Sequence, residues 1–149
     1  MPSDNHNAPQ RGLSYYGLSL LSFLRRSHPD LAENADFIES RASLAAKTYS
    51  EVIRSGRTHP EAGEEAAAVL FDGLHFSLYD TLADVLREEF ADTIPEAEVC
   101  EAARVMFPFV RGLREKYDLT DDFASTPEYD LLYTEVTGAV RILLEHGLQ

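Results

Sequence analysis

The chain has 149 residues, of which 44% are hydrophobic and 26% charged, enough for one compact domain and incompatible with a collagenous or disordered composition. Thirteen Lys and Arg stand against 26 Asp and Glu, a formal net charge of −13, so most of the surface would repel a phosphate backbone and direct nucleic-acid binding is disfavoured. The lone Cys100 excludes an intrachain disulfide, and no apolar run approaches the ~18 residues a membrane helix needs.

In chain order, residues 1–11 are polar and read as a loosely attached lead without an apolar signal region, which with the single cysteine points to a reduced, cytoplasmic protein. Tyr16, Leu20, Phe23 and Leu24 then stripe a first helix. Ile38, Ala42, Ala45, Tyr49, Val52 and Ile53 stripe a longer second one. Residues 58–92 read as two helices split at Gly73, the second carrying Leu78, Leu82, Val85, Leu86 and Phe90 on one face. Val99, Met106, Val110, Leu113 and Tyr117 mark a fifth helix, in which Pro108 predicts a kink or short break because its ring meets the carbonyl of Arg104. Tyr129, Leu132, Tyr133, Val136, Val140, Leu143 and Leu144 mark the last. Every stripe has the helical period and none alternates as a strand would. The expected fold is therefore all-α: one bundle of about six helices over residues 12–149.

A four-residue pattern recurs at the boundaries: Ser27-His28-Pro29-Asp30, Thr58-His59-Pro60-Glu61, Thr93-Ile94-Pro95-Glu96 and Ser125-Thr126-Pro127-Glu128. A hydroxyl that accepts from an orphan N–H, a proline in the first turn and an acid at the positive dipole end together predict a helix start at each. Separations of 31, 35 and 32 residues approach the period of tandem helical repeats. The apolar positions of the successive units do not superimpose, however, so capping is the reading adopted. Gly56 and Gly147 fall where positive-φ helix C-caps belong.

Chemistry-bearing constellations are few. Cys100 early in a helix could have a dipole-lowered pKa, but an isolated helical cysteine reads as a small packed hydrophobe. No nucleophile elbow or phosphate-cradling glycine loop occurs, so no catalytic residue and no cofactor is expected. Asp72 and His75, three apart and followed by Tyr79 and Asp80, could offer two ligands to one ion from a helix, yet the second acid and histidine pair of a carboxylate-bridged bundle is missing. Asp118, Asp121 and Asp122 cluster, but Phe123 stands where a calcium loop needs glycine. His28 and His59 belong to capping patterns, His146 to a helix C-terminus and His6 to the lead, so no metal site is expected. The polar and aromatic string from Phe71 to Asp80, with Tyr129 and Tyr133 one helical turn apart, leaves Asp72, His75, Tyr79, Asp80, Tyr129 and Tyr133 as the candidate polar cluster or interaction site. The cheaper alternative is that these tyrosines simply rim the core.

Several separate blocks carry a family resemblance. Leu13-Ser14-Tyr15-Tyr16, Ser27-His28-Pro29, Phe71, Gly73-Leu74-His75-Phe76-Ser77, Tyr79-Asp80-Thr81-Leu82, Asp121-Asp122-Phe123, Pro127-Glu128-Tyr129, Leu132-Tyr133-Thr134-Glu135 and His146-Gly147-Leu148 occur in one order. They resemble a small bacterial family known only as domain of unknown function 1896. The resemblance runs from about residue 12 to the C-terminus, and implies an all-helical fold, occurrence in Bacteroidetes among genes of conjugative mobile elements, and no assigned activity or catalytic residue.

The function these features favour is protein–protein association, either with a protein partner or as a homodimer, since two-fold dimers are the commonest oligomers. The alternative from a different class is an acidic inhibitor that competes for the basic groove of a nucleic-acid-binding protein. It draws on a net of −14 over residues 58–149, against +1 over residues 1–57.

Overall fold

The computed structural model describes residues 13–147, which hold six α-helices and no strand. These are α1 (Tyr15–Ser27), α2 (Ala35–Arg54), α3 (His59–Leu70), α4 (Leu78–Glu89), α5 (Val99–Val110) and α6 (Glu128–His146). The expected lead over residues 1–11, with His6, lies outside the described residues. The helices fall into two compact units, which meet in sequence at Asp72 and Gly73.

The first unit holds α1, α2 and α3. Ser14 caps α1 by accepting from the Gly17 N–H at 3.2 Å, and the stripe places Leu20, Leu21 and Leu24 in the core. On α2 and α3 the buried positions include four alanines, Ala42, Ala45, Ala62 and Ala66, whose small size lets the two helices lie close together. Arg41 crosses from α2 to the end of α3 and donates to the carbonyls of Val69 (3.4 Å) and Leu70 (3.0 Å), which are orphans at a helix C-terminus.

The second unit holds α4, α5 and α6 around an aromatic core. Leu78, Leu82, Val85 and Leu86 of α4, Val99, Met106 and Val110 of α5, and Leu132, Val136 and Val140 of α6 converge on Phe76, Phe107 and Phe123. Leu144, by contrast, lies at the exposed edge of its stripe. Pro108 falls inside α5, two residues before its end. It sits on the exposed side of α5, the helix continues to Val110, and the chain then tightens into a 3₁₀ stretch over Arg111–Lys116.

The recurring boundary pattern has one full success. Thr58 accepts from the Glu61 N–H at 3.2 Å while Glu61 accepts from the Thr58 N–H at 3.0 Å, a complete capping box with Pro60 in the first turn. At the other three places the outcome differs. Ser27 is still the last residue of α1, a 3₁₀ turn over Leu31–Glu33 follows, and α2 is capped by Asn34, which accepts from the Phe37 N–H. Pro95 precedes a 3₁₀ turn before α5. The Thr126 hydroxyl turns back to the Phe123 carbonyl at 2.7 Å, so no side chain caps α6. Gly56 and Gly147 do carry the positive φ expected after helix ends, +95° and +79°.

Candidate functional site

The segment from Gly73 to Ser77 is the most informative irregular stretch of the second unit. Gly73 has φ +78°, a conformation open to glycine at little cost, and α3 has already ended at Leu70. Asp72 and His75 therefore do not share a helix face, and Asp72 is an exposed turn residue closing the first unit. The backbone N–H groups of Gly73 and His75 both donate to the Asp121 carboxylate, at 3.1 and 2.9 Å. The His75 Nε2 also lies 3.9 Å from Asp121. An anion that accepts two N–H bonds fixes the turn much as a phosphate fixes a loop. Ser77 then caps α4 through the Asp80 N–H at 3.0 Å, which makes Asp80 a first-turn acid favoured by the helix dipole.

Tyr79 is engaged on the α5 side of α4. Its ring meets Phe107 edge-on at 5.4 Å and its hydroxyl donates to the Cys100 carbonyl at 3.5 Å. Burial pushes the Tyr79 phenol up from its ordinary value. Cys100 itself is exposed rather than packed as a hydrophobe.

Tyr129 and Tyr133 come together on α6, with ring centroids 6.2 Å apart. Tyr129 is edge-on to Phe76 and Phe123, and its phenol is raised by burial and then by the Asp84 carboxylate. The Tyr133 hydroxyl reaches Glu88 at 2.8 Å and Glu89 at 3.1 Å. Burial raises that phenol too, and the two carboxylates add to the effect by preferring the protonated hydroxyl. Sequence periodicity placed these tyrosines on one face but could not supply their partners, which lie 44 and 45 residues away on α4.

A third phenol meets α6 separately. Tyr117 donates to Glu135, which also pairs with Lys116 at 2.7 Å. The Glu135 hydrogen bond is the main reason the Tyr117 phenol is pushed up to about 12, and Lys116 in turn holds Glu135 below the usual carboxylate range. Beside Tyr133 lies an open groove of about 500 Å³ lined by Glu89, Thr134, Thr137, Gly138 and Arg141. The Arg141 guanidinium lies 5.5 Å from the Phe90 ring centroid. The lining of the groove carries both an acceptor carboxylate and a cation, an arrangement suited to holding a polar surface of mixed charge.

The candidate residues thus resolve into separate places: His75 at the Asp121 turn, Tyr79 toward α5, and Tyr129 with Tyr133 along α6. Asp121, Glu88, Glu89, Glu135 and Arg141 are the participants that sequence reasoning missed. Among the described residues no three His, Cys, Asp or Glu side chains stand close enough to hold a metal ion, and no helix is long and apolar enough to cross a membrane. Arg57 pairs with Glu65 at 2.5 Å and with Glu61 at 3.8 Å.

Six helices and these connections define an all-α protein with phenol–carboxylate contacts along its second half. The chain belongs to the family described as domain of unknown function (DUF1896), whose match spans residues 8–148 and so includes both units. It is similar to the crystal structure of protein PG0816 from Porphyromonas gingivalis, with 38% identity and a TM-score of 0.82 over 93% of this chain and 95% of that one. No curated protein matches the sequence.

Proposed function

We propose that this protein is a non-catalytic interaction module that acts by self-association. The observation that carries the reading is the outward face of α6. Leu131 and Ile142 are each 59% exposed there, and their separation of 11 residues returns to nearly the same helical angle after three turns. Single exposed apolar side chains are ordinary, but two large ones aligned on one helix, beside a groove with both charge signs, suit a surface that meets another surface. The tyrosine hydroxyls next to that face are already hydrogen-bonded within the chain and contribute rigidity to it.

The test is light scattering coupled to size exclusion across a dilution series. A mass of twice the 16.7 kDa chain that dissociates at low concentration is the expected result. A strict monomer at every concentration would overturn the proposal.

A further inference from the structure

We infer that two copies of this chain pair α6 against α6, antiparallel and crossing near Thr137, with Arg141 of each copy meeting the Glu88 and Glu89 carboxylates of the other. This rests on the self-association reading and specifies the surface that performs it.

Three features of the α6 face lead there. Successive residues turn by about 100°, which places Leu131, Thr134, Gly138, Arg141 and Ile142 within one sector roughly 100° wide. All but half-buried Gly138 are exposed.

Gly138 is the second feature. A Cβ built there meets nothing within 4 Å, so the chain's own packing does not require a glycine in the middle of this helix, where alanine would be the more stabilising residue. A second backbone approaching closely at that point would make use of the missing side chain.

Charge is the third. Tyr133 has one hydroxyl hydrogen, yet it faces Glu88 at 2.8 Å and Glu89 at 3.1 Å, so one hydrogen is shared between two acceptors and the pair retains capacity for another donor. Arg141 has the Phe90 ring beneath it and, among the described residues, no carboxylate partner. A guanidinium presents five N–H donors in a fork that suits such a carboxylate pair.

Symmetry joins the three. In a two-fold contact, residue i of one copy meets residue j of the other and the reverse holds as well. Tyr133 and Arg141 are equidistant from Thr137, about 12 Å apart along the helix at ~1.5 Å per residue. Leu131 and Ile142 are centred within half a residue of the same point. One axis therefore brings Arg141 to the level of the carboxylate pair, apolar ends against apolar ends, and Thr137 and Gly138 to the crossing.

Light scattering with charge reversal tests the arrangement, with circular dichroism to verify folding. Arg141→Glu alone, and Glu88→Arg with Glu89→Arg, should each weaken the dimer by about tenfold or more, since each places like charges opposite one another. Mixed in equal amounts, the two variants should recover a dimer, because every pair is again of opposite sign. Gly138→Leu, placed in open space on the helix, should also disrupt the dimer while the helical signal persists. If the wild type is dimeric and neither the charge variants nor Gly138→Leu changes its mass, the α6 pairing is overturned and self-association stands. If the wild type is monomeric throughout, both fall.

Discussion

The two units solve the same problem, packing three helices, with different side chains. Around α2 and α3 the first unit buries Ala42, Ala45, Ala62 and Ala66 beside the aliphatic Leu, Ile and Val side chains, so its fit depends on backbones that come close. The second buries Phe76, Phe90, Phe107 and Phe123, and surrounds them with half-buried Tyr79, Tyr117, Tyr129 and Tyr133. Their polar ties mirror each other. Arg41, a cation, meets carbonyls at the end of α3, whereas Asp121, an anion, meets the N–H groups of the turn before α4. Close alanine packing leaves few polar groups to satisfy. An aromatic core brings phenols to its rim, and each phenol requires an acceptor. The carboxylates of the second unit are therefore in part structural, as partners for Tyr117 and Tyr133.

The sharpest way to break this comparison is to change volume in opposite directions. Phe123 is 1% exposed and makes edge-on contacts with Phe76, Tyr117 and Tyr129, so Phe123→Ala should cost about 3–5 kcal/mol through lost burial and the cavity left behind. Urea unfolding at neutral pH measures it, and a loss under about 1 kcal/mol would mean that the aromatic cluster is not the core it looks like. In the first unit the damaging change is enlargement. Ala45 is fully buried, and Ala45→Leu should cost about 1–3 kcal/mol by forcing α2 away from its neighbours. A neutral Ala45→Leu would show that close helix approach is not what fixes that unit.

The sequence revealed what repeats locally and concealed what closes over distance. Buried Leu82, Val85 and Leu86, or Leu132, Val136 and Val140, follow from the 3.6-residue period alone. The split at Gly73 was equally readable, because the glycine interrupts two apolar stripes. Caps were legible only where both partners are near. Thr58 and Glu61 complete each other within four residues, whereas the Ser27 pattern was overridden by α1 running through it and by Asn34 as a competing cap. Asp121 was visible only as part of an acidic cluster, since the amides it serves lie 46 and 48 residues earlier. No periodicity encodes such a contact. Its block and that of Gly73-Leu74-His75 both belong to the family resemblance, but one sequence cannot show that the two blocks touch.

A smaller effect sharpens the contrast between the polar ties. Asp121→Asn keeps the shape but removes the charge and one acceptor oxygen from a pair of N–H bonds. With the Asp121 side chain 35% exposed, solvent screens part of the loss, leaving about 1 kcal/mol. The specific readout is amide hydrogen exchange at Gly73 and His75, which should accelerate well beyond any change in α4. Uniform acceleration across the second unit would argue instead for a global effect and against Asp121 as a local clasp.

The smallest effect at neutral pH, and one that separates the units by its pH dependence, concerns the phenols. Four tyrosines of the second unit, Tyr79, Tyr117, Tyr129 and Tyr133, are raised above the ordinary value of 10.0, with Tyr117 at about 12. In the first unit Tyr16 is raised, mainly by burial. A phenol whose folded pKa exceeds its unfolded one favours the folded state while it stays protonated. For Tyr117 that contribution is complete below pH 10 and is lost as the pH climbs from 10 toward 12. Thermal midpoints should accordingly hold steady up to pH 10 and fall beyond it, and Tyr117→Phe should flatten the fall without steepening it. Because Tyr117 is tied to Glu135 of α6 and Tyr133 of α6 is tied to Glu88 and Glu89, tyrosinate absorbance should appear together with loss of α6 amide protection. Tyrosinate formation that leaves α6 protected would show that these hydrogen bonds decorate the second unit rather than hold it.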